Sequence, residues 1–285
     1  MNADAERKVL FDGADLVIVS VDGGRGRGVV TFGPWLANPL GSAPAEQARG
    51  FVERAFERQA QADELHIIPR RNHWYNCAER NTAVDFVASF AASRRVVTCG
   101  SSMGGYGSAL FSALLGLPCI SVSPQFSLAP EYAPFETRWR DEFKQIESFD
   151  SETMFHNSKA TGYIFYDPFT ELDARQAQLF RGRSDLQFVP CPFSGHATVA
   201  MMNKSYGLAR IASEVLSGTF EIRNLLDARR NRRRGDDLYL TLLYIQAGSR
   251  GHRALSESLR IELEDKKGEL GLNPHFPSKA LISLS

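Results

Sequence analysis

Short apolar runs rich in β-branched residues alternate with longer stretches of helical period along most of this chain. The run at 15–21 predicts a buried strand, a glycine-rich stretch follows at 23–28, and 29–32 predicts a second strand. In 44–60 the apolar positions Ala48, Phe51, Val52, Ala55 and Phe56 recur at i, i+3, i+4, i+7 and i+8, the spacing of one helix face. Further strands are predicted at 65–69, 95–99, 117–122, 162–166 and 186–189. Helices are predicted at 81–92, 103–115, 173–180 and 197–216. Strands that are apolar throughout, separated by helices of ten or so residues, imply βαβ units and a mostly parallel sheet covered on both faces. The expected fold class is therefore α/β.

The rhythm breaks at 124–160, where Phe126, Tyr132, Phe135, Trp139, Phe143, Phe149 and Phe155 are scattered among charges with no strand pattern. It changes again after 220. The arginine-rich run 229–234 is interrupted by Gly235 and followed by Asp236 and Asp237, the composition of a solvated linker, and helices are predicted over 236–247 and 253–267. The expected organisation is a main domain over 1–220, with an insertion at 124–160, and a helical appendage over 221–285 suited to self-association.

Composition narrows the function classes. The 285 residues carry 33 Lys plus Arg and 33 Asp plus Glu, so there is no net charge to attract nucleic acid or an anionic membrane. Hydrophobic residues make up 43%, which suits a globular core. No apolar run approaches the length of a membrane span, and the polar stretch 1–10 lacks the apolar segment of a secretion signal. Cys77, Cys99, Cys119 and Cys191 show no paired spacing, so free thiols in a cytoplasmic setting are expected. No His/Cys/Asp cluster stands at metal-ligand spacing, and neither a metal nor a cofactor is expected.

The strand at 95–99 runs into Gly100-Ser101-Ser102-Met103-Gly104, a G-x-S-x-G pattern followed at once by a helix. A serine on so sharp a strand-to-helix turn is strained, and glycines two residues to either side let the backbone close around it. The serine also stands at a helix N-terminus, where unpaired N–H groups favour developing negative charge.

With this motif in this context the chain resembles the α/β-hydrolase superfamily over roughly residues 10–217. The resemblance implies a Ser–acid–His triad in that chain order, acting on a small acyl substrate. Ser102 is then the nucleophile. His196, in Phe193-Ser194-Gly195-His196-Ala197 after the last strand, is the expected base. His73 could line the pocket, His66 suits the core, His156 falls in the insertion, and His252 and His275 suit the surface. The acid should follow the strand at 162–166, where Asp167 comes directly. Asp173, which also suits a helix N-cap, and Glu171 are its competitors. One oxyanion donor should be the N–H of Met103. The other comes from near Asp22 or Gly23 if the first central strand is 15–21, or near Gly33 if it is 29–32, because Pro34 has no N–H. The insertion occupies the place where this superfamily carries lids, and its aromatics could wall the site or pack the insertion down. Asn72-His-Trp-Tyr75 and Ser123-Pro-Gln-Phe126 also resemble a bacterial branch of hydrolase-like proteins. The implied activity is cleavage of an ester, thioester or similar bond through an acyl-enzyme. An acyltransferase with the same triad and an accessory protein that retains the fold are the alternatives.

Overall fold

The computed structural model describes residues 6–23, 26–149, 151–156, 158–182 and 185–270. Eight strands form one sheet: β1 (Arg7–Asp12), β2 (Leu16–Val21), β3 (Arg27–Phe32), β4 (Asp63–Pro69), β5 (Arg95–Ser101), β6 (Pro118–Val122), β7 (Thr161–Tyr166) and β8 (Asp185–Pro190). They lie in the order β1-β2-β4-β3-β5-β6-β7-β8. The β1–β2 and β2–β4 pairs are antiparallel, and β4 through β8 pair in parallel. Between and after them run α1 (Ala55–Ala60), α2 (Arg80–Ala91), α3 (Met103–Leu115), α4 (Arg140–Phe143), α5 (Ser151–Phe155), α6 (Glu171–Leu179), α7 (Thr198–Ser205), α8 (Leu208–Ser217), α9 (Ile222–Arg232), α10 (Asp237–Ser249) and α11 (Arg253–Leu270).

Alternate residues of the central strands feed two cores. Val30, Phe32, Leu65 and Ile67 join Tyr106 and Leu110 of α3 on one face. Val29, Val97, Ile120, Phe165 and Val189 join Met202, Ile211 and Leu216 on the other. Burial on both faces is why these strands read as continuous apolar runs. A mostly parallel sheet in this order, with helices on both faces, is the α/β-hydrolase fold.

Three expectations change. The helix over 44–60 is a 3-10 turn at Ala45–Gln47 and then only α1, with left-handed backbone at Val52 (φ 49°) and Arg54 (φ 66°) between them. The buried Glu64 carboxylate accepts the N–H groups of Arg54 (2.8 Å) and Glu57 (2.7 Å), which fixes where α1 begins. The helix over 197–216 is two helices, broken at Gly207 (φ 95°), with Asn203 Oδ1 accepting the Leu208 N–H (3.1 Å) at the start of α8. The arginine run is not a linker but lies on α9 and the turn after it, because Leu225 is fully buried and Arg229 reaches back to donate to the Pro192 carbonyl. Strand β1, within the polar start of the chain, was not anticipated; it is an edge strand, largely exposed. His275 lies outside the described residues. No described helix is long and apolar enough to cross a membrane.

Candidate active site

Strand β5 passes into α3 through Ser102, which holds φ 55° and ψ −122° at the helix N-cap. Its N–H donates to Val122 O of the neighbouring strand end (2.9 Å), and its C=O accepts from Tyr106 N (3.0 Å). This uncommon conformation is held on both sides by close backbone contact. A Cβ on Gly100 would meet Gly104 O at 2.1 Å, and one on Gly104 would meet Phe32 O at 2.2 Å. Glycine at both positions is therefore a steric requirement of the turn.

His196 sits in the loop between β8 and α7, where Phe193 (φ 59°) and Gly195 (φ 60°) adopt left-handed backbone. The ring lies between two partners. Its Nε2 is 2.9 Å from Ser102 Oγ, and its Nδ1 is 2.8 and 3.0 Å from the two oxygens of Asp173. With the proton on Nδ1 donated to Asp173, Nε2 is free to accept the serine hydroxyl proton. Asp173 is 1% exposed, while the His196 side chain is 28% exposed and open to the site. Burial pushes the Asp173 carboxyl up, but His196 and Arg138 outweigh it and hold the carboxyl below the ordinary aspartate range.

Asp167 is not the acid. It too is buried, but its carboxylate is taken up by three backbone N–H groups: Phe169 (2.9 Å) and Phe193 (3.1 Å) to Oδ1, and Gly195 (2.7 Å) to Oδ2. Directly after β7 it lies against the loop that follows the adjacent β8, so it braces the backbone of the histidine loop. The chain must run six residues further, through Thr170 at the N-cap of α6, before a carboxylate faces the ring. Asp173 is thus the third residue of α6 and not its cap. Glu171 is exposed and pairs with Arg175 (3.3 Å).

Gly23 is not an oxyanion donor. Strand β2 is antiparallel to β4, so its C-terminal end lies beside Asp63, at the N-terminal end of the parallel strands and away from Ser102 at their C-terminal end. The Gly23 N–H donates to Asp63 Oδ1 (2.8 Å). Met103 is the first residue of α3, directly after Ser102.

The insertion divides its aromatics between two tasks. Phe126, Phe149 and Phe155 pack with Tyr106 and Phe180 and seat the segment on the body. Trp139 instead faces the site, its ring 6.5 Å from His196 between Trp35 (5.0 Å) and Trp74 (5.7 Å). His66 is fully buried between Thr31 Oγ1 (2.5 Å) and Glu64 (2.9 Å). His73 is buried beside Asp15 O (3.2 Å) and lines a separate polar cavity of about 440 Å³ with Asn72, Cys77 and Arg80. His156 and His252 are exposed. All four cysteines are free, and burial pushes the Cys119 and Cys191 thiols up to about 12. Among the described residues no group of three His, Cys, Asp or Glu side chains could hold a metal ion.

Serine, histidine and aspartate in hydrogen-bonded sequence on this sheet define a serine hydrolase catalytic triad, Ser102–His196–Asp173, able to act on an acyl substrate. No protein-family pattern and no curated protein matches the sequence. Among solved structures the chain is similar to the capsule O-acetyltransferase of Neisseria meningitidis serogroup A (14% identity, TM-score 0.45, covering 64% of this chain and 86% of that one). It is also similar to an esterase of Pyrococcus furiosus (12%, TM-score 0.46, 72% and 91%). A third such structure is the dienelactone hydrolase of Anabaena variabilis (13%, TM-score 0.45, 75% and 97%).

Proposed function

We propose that the protein cleaves an ester, thioester or related acyl bond through an acyl-enzyme on Ser102, with Gly100–Gly104 acting as the nucleophile elbow. The observation that carries this reading is the continuous chain of hydrogen bonds from Ser102 Oγ through His196 to Asp173. Ser102 Oγ bonds to the substrate carbonyl carbon as its proton passes to His196 Nε2. Asp173 holds the ring and offsets the imidazolium charge. The bond to the leaving alcohol or thiol then breaks, and His196 returns the proton to it. Water repeats the two steps and releases the acid. If an alcohol or amine enters in place of water, the same residues transfer the acyl group.

The carbonyl oxygen, negative in the tetrahedral intermediate, is assigned to the N–H of Met103 and to a second donor from the loop after β3. Gly33 N–H is already given to Ile67 O (3.1 Å), and Pro34 has none, so the second donor in this reading is Trp35. The close approach of Gly104 to Phe32 O supports that placement by bringing the loop against the elbow. The wall formed by Trp35, Trp74 and Trp139 supports an apolar or planar acyl or leaving group. Free, largely buried thiols support a reducing compartment such as the cytoplasm. Exposed Leu255 and Ile261 support self-association through the C-terminal helices.

Intact mass after treatment with a fluorophosphonate tests the reading. The wild type should gain one adduct and Ser102→Ala none, with acyl-ester turnover falling by roughly 10³-fold or more in the variant. A folded wild type that takes up no adduct would remove the case for an activated serine.

A further inference from the structure

The triad acid has a partner outside the triad. Arg138 Nη1 donates to Asp173 Oδ1 (2.7 Å), on the same carboxylate that holds His196. The rest of its guanidinium is engaged by Glu136, which accepts from Nε (2.9 Å) and Nη2 (2.7 Å). Glu136 also accepts from Gln176 Nε2 (3.1 Å) and from the Arg138 N–H (3.1 Å). The Arg138 side chain is 9% exposed and those of Glu136 and Asp173 1%. A line of alternating charge, Glu136, Arg138, Asp173, thus runs from the insertion to the catalytic base. A planar fork is required to hold one carboxylate with two N–H groups and reach a second with a third.

In a triad the aspartate stabilises the imidazolium that forms when the base takes the serine proton. A buried cation on its other side draws on the same negative charge, weakens that stabilisation, and keeps the ring neutral and competent as a base to lower pH. Glu136 works in the opposite sense by engaging the guanidinium. We infer that Arg138 is a positioning residue that sets the pH range in which His196 acts as a base, with Glu136 setting how strongly it does so. This rests on the triad reading above. Both residues belong to the insertion, so seating the insertion and tuning the triad are one event. The other groups about the ring are Ser102, the Trp139 indole and, beneath its loop, Asp167 and Arg229, none of which the test alters.

The test follows the acid limb of kcat/KM against pH for 4-nitrophenyl acetate in the full-length protein, together with the NMR titration of the His196 ring. Arg138→Gln should move both up by roughly one pH unit, a loss of about tenfold on the acid side. Glu136→Gln should move both down, by less. The double variant, which removes cation and anion together, should return near the wild-type position and covers the case in which Arg138→Gln leaves Glu136 buried alone and fails to fold. Shifts of the same sign in the two single variants, or a uniform loss of activity with neither limb nor ring titration moved, would reduce Arg138 to a structural pin and overturn the inference. If the wild type hydrolyses no acyl probe, the functional reading fails, while the ring titration still decides the electrostatic role of Arg138.

Discussion

Asp167 and Asp173 are six residues apart and equally buried at 1% exposure, yet they do different work because of what their oxygens meet. Asp167 meets backbone donors and shapes a loop; Asp173 meets a ring and a guanidinium. Asp173→Asn should therefore cost about 10³- to 10⁴-fold in kcat/KM by holding the wrong tautomer of His196. Asp167→Asn should cost mainly stability, about 1–3 kcal/mol, by leaving buried N–H groups without an acceptor. Steady-state kinetics and urea unfolding on the two variants separate these effects. The depressed native pKa of Asp173 adds a pH signature. Its contribution to stability is full above its ordinary value of 3.8 and is lost as pH falls through the lower native value, a limb absent from Asp173→Asn. Ser102 and His196 were legible in the sequence because glycines bracket one and precede the other, a local chemistry that survives without coordinates. The acid was not, since three carboxylates, Asp167, Glu171 and Asp173, follow the same strand and only the path of the chain decides which one turns toward the ring.

Among the elements, the strands of the central sheet were legible to within a residue or two, because burial on both faces leaves little room for polar residues. The segment 44–60 was not. Its apolar positions do point inward, but Ala45 and Ala48 pack against Val17 and Val19 from a 3-10 turn, while Phe56 joins Val29 and Val97 farther along the same face of the sheet from a separate short helix. Helical spacing alone cannot distinguish that arrangement from one continuous helix. Sequence alone marks the turn 72–75 only by its resemblance and by His73 as a possible pocket residue, and the structure adds a further role. Trp74 (φ 48°) and Tyr75 (φ 58°) are consecutive left-handed residues, a strained arrangement that aims two side chains at the loop after β3. Asn72 accepts from Leu36 N (3.1 Å) and donates to Leu36 O (2.8 Å), while Tyr75 OH donates to Gly33 O (2.8 Å). Both ends of the loop proposed to bear the second oxyanion donor are held in this way. Asn72→Ala should lower kcat on an activated ester by about tenfold with a smaller change in KM, as expected for a contact felt mainly in the transition state.

For the whole molecule, packing runs continuously across residue 220. Leu225 of α9 is fully buried in the same core as Leu208, Ile211 and Phe220. Arg229 donates to Pro192 O at the base of the histidine loop, and Tyr239 of α10 packs edge-on against Phe193 (5.5 Å) within that loop. The first C-terminal helix is thus part of the main body, and the second buttresses the loop that carries the base. Leu225→Ala should destabilise the main body itself by about 2–5 kcal/mol, read as one cooperative unfolding transition shifted to lower denaturant. A separate early transition would instead mark the tail as an independent unit.

The hydrogen bond between Ser102 and His196 joins positions 94 residues apart. The serine turn is complete once β5, β6 and α3 have come together, but its base belongs to a loop that needs β7 and β8 in place first. Closing so large a loop carries an entropic cost that only the finished sheet offsets. The nucleophile therefore has no base until the loop after β8 is in place. A nascent or partly folded chain exposes an ordinary hydroxyl, and acyl chemistry begins only when the last strands have docked.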